Sequence, residues 1–166
     1  MRISRFPILV LATAVATQVL AGPLAPSKPS DVVTLMPNVS DGSNGSCSSP
    51  QLRVDAVIDT TDGSLSPFTI PPKEVLVLTG GTWSDTSVTP NANAFLLLSL
   101  RTATTSNNLV ATTAVRSDAA GVVAGAFTLE PGIVIKPGAS LCAVLDVAGT
   151  NTVVFPRLTG FLAKDK

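Results

Sequence analysis

The chain contains no histidine and no tyrosine, and it has a single tryptophan and only two cysteines. Without histidine there is no ordinary general base near neutral pH, no Ser-His-Asp or Cys-His constellation and no imidazole metal site, the His-rich centre of cupins included. Hydrolysis by two carboxylates needs only Asp or Glu and stays open. Charge is also scarce: Asp, Glu, Lys and Arg make up 13% of the residues, with no basic stripe. That composition argues against nucleic acid or an anionic membrane surface as partner. Two cysteines far apart, without a Cys-x-x-Cys pair or a histidine, also lack the ligand spacing of a zinc or redox site.

What is present begins with an address. Arg2 and Arg5 form a positive start, Ile8 to Ala16 is apolar except for Thr13, and Val19-Leu20-Ala21 offers small residues ahead of Gly22. This is the layout of a secretory signal peptide, residues 1–21, cleaved after Ala21. The apolar run falls short of the roughly 20 residues that a membrane span needs. Gly22 stands where a lipoprotein would carry Cys, so the expected product is secreted or periplasmic, with no stable membrane insertion after cleavage. Losing Arg2 and Arg5 lowers the Lys plus Arg count from 11 to nine against 11 Asp plus Glu, a net charge of about −2 on the mature chain.

Export implies an oxidising compartment, where an even pair of cysteines forms a disulfide. A Cys47–Cys142 bridge closes a loop of 95 residues. The alternative is two separate buried thiols, since Cys142 sits within a very apolar segment.

Residues 22–50 read as a flexible arm. They carry Pro23, Pro26, Pro29, Pro37 and the turn-rich run Asp41 to Pro50, and only Val32 to Met36 has the pattern of a strand, expected at an edge. Residues 51–166 read as one domain. Leu52, Val54, Ala56 and Ile58 alternate with polar residues. Further apolar segments follow at Phe68–Ile70, 74–79, 92–101, 109–116, 121–129, 133–135, 139–147 and 152–162, separated by Gly-, Pro- and Asn-bearing turns. Eight or nine short strands at this spacing predict an all-β fold, a two-sheet antiparallel sandwich of the jelly-roll type. The pattern Ile-x-Pro-x-x-x-Leu occurs at Ile70 and again at Ile135, two strand–turn–strand units that suit a double Greek key.

Candidate sites are sparse. Asp55 and Asp59 lie about 13 Å apart along one strand face, farther than a glycosidase carboxylate pair. Asp59 and Asp62 enter one turn and form a candidate calcium loop, as do Asp41 and Asn44, although neither has the alternating-oxygen spacing of a calcium-binding loop. Trp83 is the candidate ligand aromatic, either stacking on a sugar or closing the core, whereas Phe68, Phe95, Phe127, Phe155 and Phe161 read as core. Asn38-Val-Ser40 and Asn44-Gly-Ser46 fit the glycosylation pattern. Phe95 and Leu97 put apolar side chains on the second face of a strand whose first face is already apolar. That face is expected to be covered by the arm, a loop or a second copy of the chain.

These observations describe an exported, non-catalytic structural or binding module without a required cofactor, self-associating or binding a glycan or surface protein. The alternatives are a carbohydrate-binding or calcium-dependent lectin-like domain and, further off, a hydrolase using Asp55, Asp59 or Glu130.

Overall fold

The computed structural model describes residues 26, 28, 31–37, 47–59, 61–102 and 108–165. The signal-peptide segment, both glycosylation patterns, and Asp41 with Asn44 lie outside them. Ten strands make up the fold: β1 (Val32–Pro37), β2 (Leu52–Ile58), β3 (Leu65–Pro67), β4 (Glu74–Asp85), β5 (Asn93–Arg101), β6 (Asn108–Arg116), β7 (Val123–Ile135), β8 (Ser140–Val147), β9 (Thr150–Thr152) and β10 (Arg157–Lys164). No described residue is in an α-helix, so no helix there is long and apolar enough to cross a membrane.

Every ladder is antiparallel. The strands follow one path, β6-β5-β8-β2-β1-β10-β4-β7, with β3 added to β2 and β9 to β8. The pairings nest, β1 with β10, β2 with β8, β4 with β7 and β5 with β6, as if one long hairpin had been wrapped round a core. The two ends of the path come back together. β6 and β7 lie close enough that a Cβ added at Gly125 would meet Val115 Cγ2 at 3.0 Å. The result is a nearly closed antiparallel barrel.

Alternation explains the inner face. Leu52, Val54 and Ala56 of β2, Ala94, Leu96 and Leu98 of β5, and Leu141, Ala143 and Leu145 of β8 are all buried. Most join a core shared with Leu35, Leu76, Leu78 and Leu158. β1 departs from expectation. It is not an edge but lies between β10 and β2, because Val33 and Leu35 supply core side chains that the path needs there. Phe68–Ile70 is likewise not a strand, and β3 forms just before it.

β7 runs straight through Pro131, where the sequence pattern suggests two separate strands. The ladder with β4 breaks between Leu78 and Gly80, opposite the stretch from Thr128 to Ile133, so Pro131 sits in a bulge where no ladder N–H is needed. β4 also continues through Gly80-Gly81. A side chain at Gly80 would strike the Phe127 carbonyl, and one at Gly160 would come 2.6 Å from the Val77 carbonyl. Glycine at both places lets β4 pass closely between β7 and β10.

The disulfide forms, with Cys47 and Cys142 at a Cα–Cα distance of 5.7 Å. Leu141 and Ala143 point into the core, so Cys142 faces outward, and its bond to Cys47 draws the chain before β2 across the outside of β8. Arg101 Nη1 donates to Ser48 Oγ at 2.9 Å, pinning the same segment against β5. The segment at Cys47 and Ser48 therefore lies over the outer face around Ser99 and Cys142, which are paired and buried. A disulfide of this kind fits an oxidising extracellular compartment.

Closing so long a loop stabilises the fold by about 4–5 kcal/mol in the chain-entropy model. Urea unfolding of the Cys47→Ala/Cys142→Ala double variant is expected to show a loss of that order; a midpoint within error of the parent contradicts it.

Candidate functional site

A cleft of about 1020 Å³ lies at one end of the barrel. Its walls come from the last residues of β4, the first of β7, the segment 153–157 leading into β10, and Met36 of β1. Register explains its shape. Arg157, Thr82 and Ala126 form one row across β10, β4 and β7, and Ser84 pairs with Ala124 in the next row on the same outward side. Two alanines on β7 leave the surface low there, while the side chains of β10 and the preceding segment stand up around it.

The segment 153–156 makes the rim. Val154 and Pro156 are buried, so alternation turns Val153, Phe155 and Arg157 outward. Phe155 is 49% exposed. This corrects its reading as a core residue: spacing gives the two faces, but only the inward anchoring of Val154 and Pro156 decides which faces solvent. Arg157 makes no hydrogen bond or ion pair among the described residues. The opposite rim is hydroxyl-rich, with Thr82, Ser84, Thr86 and Ser87. Asp85 is the one carboxylate of the lining and accepts hydrogen bonds from both the backbone N–H and the hydroxyl of Ser87, each at 2.8 Å, which fixes the turn after β4.

Trp83 belongs to the core, not to a stacking surface. It is 3% exposed and packs with the inner cluster. It nevertheless lines the cleft, and its indole N–H has no hydrogen-bond partner among the described residues. The indole fits because position 125 has no side chain: a Cβ there would lie 2.6 Å from Nε1 and 2.8 Å from Cε2. A buried donor left unpaired costs about 1–3 kcal/mol; the indole lies on the core side of β4, opposite the outward Thr82 and Ser84.

The other expected residues lie elsewhere. Asp59 and Asp62 stand exposed in the turn between β2 and β3, and neither lines the Trp83 cleft. Asp59 accepts from the N–H and hydroxyl of Thr61, at 2.8 and 2.6 Å, and Asp62 from the N–H of Ser64 at 2.8 Å. These bonds hold both carboxyls below the usual carboxylate range, Thr61 being the main cause at Asp59 and Ser64 at Asp62. No group of three or more potential ligands that could hold a metal ion occurs among the described residues. Asp55 is engaged by Arg53, Nε to Oδ2 at 3.1 Å, and Glu130 stands exposed on β7 just before Pro131. Phe95 is 37% exposed and pairs across β5 with Asp146 and Ala114, whereas Leu97 is half-buried beside Val144.

No known protein family matches this chain, and no curated protein matches it in sequence.

Two outcomes follow. In an NMR titration, Asp59 and Asp62 titrate below the ordinary carboxylate range. Their contribution to the turn is complete at neutral pH and disappears as pH falls through the lowered folded values; midpoints at or above the ordinary range contradict this. Gly125→Ala forces the indole to move, lowering stability by about 1–3 kcal/mol and shifting Trp83 emission to the red. An unchanged spectrum and unfolding midpoint contradict the fit described.

Proposed function

We propose that this protein is an exported, non-catalytic binding module and that the Trp83 cleft takes a carbohydrate ligand. The observation that carries the proposal is the composition of that cleft: an exposed Phe155 ring, a facing row of hydroxyls and an unpaired guanidinium at Arg157. A pyranose ring has the complementary chemistry. Its C–H face packs on an aromatic side chain, and its hydroxyls both accept from the guanidinium and exchange hydrogen bonds with Thr82, Ser84, Thr86 and Ser87.

The absence of a paired carboxylate in the lining supports a binding role over hydrolysis. A retaining or inverting glycosidase places two acids roughly 5 to 9.5 Å apart, and this cleft supplies Asp85 alone, already accepting two hydrogen bonds. Export is supported by the signal-like residues 1–21 together with the disulfide. We read the architecture more finely as a flattened jelly roll. The nested pairings support this, because wrapping one long hairpin generates that topology, with β1-β10-β4-β7 and β2-β8-β5-β6 as its two sheets.

The chain has one tryptophan and no tyrosine, so its emission reports on Trp83 alone, on the strand that carries Thr82 and Ser84 into the cleft. A glycan array on the mature chain is expected to yield bound oligosaccharides, and titration with the strongest is expected to change Trp83 emission saturably. Phe155→Ala is expected to weaken that binding about tenfold, with unfolding unchanged. An array at background, or equal affinity in Phe155→Ala, overturns the proposal.

A further inference from the structure

A second cavity, of about 190 Å³, opens on a different part of the barrel and shares no lining residue with the Trp83 cleft. Its origin lies in how β2 changes partner. β2 pairs with β8 only at Leu52 and Arg53, and from Ala56 onward that edge is taken by β3. Between the two pairings the barrel wall parts. Phe68 closes one side, its backbone N–H donating to the Asp55 carbonyl at 2.7 Å, and Ala139 to Leu141 form the other. Core side chains, Leu35, Leu76, Ile135 and Leu141 among them, form its floor. At the rim stand Arg53 and Asp55, which face outward while Val54 between them points in.

We propose that this cavity binds a medium-chain carboxylate, apolar tail inward and carboxylate on Arg53. Size sets the tail. An apolar cavity of about 150 Å³ holds benzene, so this one suits a single ring or a chain of about six to eight carbons. Charge sets the head. Arg53 contacts Asp55 through Nε at 3.1 Å, and its side chain remains 37% exposed. A guanidinium carries five N–H donors in a planar fork, so the edge turned away from Asp55 receives a second carboxylate in bidentate fashion. The tail then removes apolar surface from water at about 0.8 kcal/mol per methylene, which a purely polar ligand would not do.

The test uses the mature, disulfide-bonded chain with octanoate as probe and methyl NMR as readout. The methyls of Ile70, Ile135 and Leu141 are expected to shift saturably, with those of Met36 and Val153 in the other cleft unmoved. Octan-1-ol is expected to bind about tenfold more weakly than octanoate, and Arg53→Met to abolish the difference between them. Ala139→Phe, which fills the mouth, is expected to block octanoate while leaving glycan titration of Trp83 unchanged, so the two sites stand or fall separately. Arg53→Met lies on the outward face and keeps the test informative should Ala139→Phe fail to fold. No saturable shift at the three methyls, shifts centred elsewhere, or equal affinity for octanol and octanoate overturns the proposal.

Discussion

The close passage of β4 between β7 and β10 is the constraint on which the rest of this molecule depends. At Gly80 and Gly160 there is no space for a Cβ, because carbonyl oxygens of the neighbouring strands occupy it. That tight approach lets β4 shift register at Leu78 and carry on to Asp85, past the bulge that accommodates Pro131. It also delivers Thr82, Trp83 and Ser84 to the place where Ala124, Gly125 and Ala126 leave room. A chain with ordinary side chains at these glycines would separate the strands, and the cleft would lose its floor and its indole together.

The two openings in the barrel arise from different defects in an otherwise regular pairing scheme. The Trp83 cleft forms where small residues on β7 meet the raised segment ahead of β10. The smaller cavity forms where β2 exchanges β8 for β3. Barrels of about eight strands are filled by their own side chains or retain space for one small ligand. Here the core is filled near Leu78, Leu96, Leu145 and Leu158, which are fully buried, and the remaining space lies toward its margins. The disulfide secures a third margin, holding the segment before β2 against the outer side of β8.

Much of this was legible in the chain. The alternation at Leu52 to Ile58 and at Ala94 to Leu98 specifies which side chains share a face, and an even cysteine pair behind a signal-like leader points to one bridge. What escaped depends on non-local partners. Period-two spacing gives Phe155 and Val154 opposite faces but does not say which is inside; the contacts of Val154 and Pro156 decide it. Trp83 reads as core lid before platform, and Gly125, opposite it on a strand some forty residues later, supplies the space that the core position needs. β1 resembles an edge strand in a proline-rich stretch, and only the pairing of its two sides with β10 and β2 makes it central. The aspartate turns, by contrast, are local: Asp59, Asp62 and Asp85 each accept from an N–H two residues on.

The account's central claim is that the cleft beside Trp83 is where this protein meets its ligand. The most direct measurement is a two-dimensional ¹H–¹⁵N NMR titration of the mature chain with the best-bound oligosaccharide. Trp83 gives the one indole N–H signal in the spectrum. Binding in the cleft is expected to move the amides of Thr82, Ser84, Phe155 and Arg157, with the indole signal responding through the strand it shares with Thr82 and Ser84. A bound oligosaccharide that leaves the indole signal in place and perturbs residues outside the cleft would contradict it.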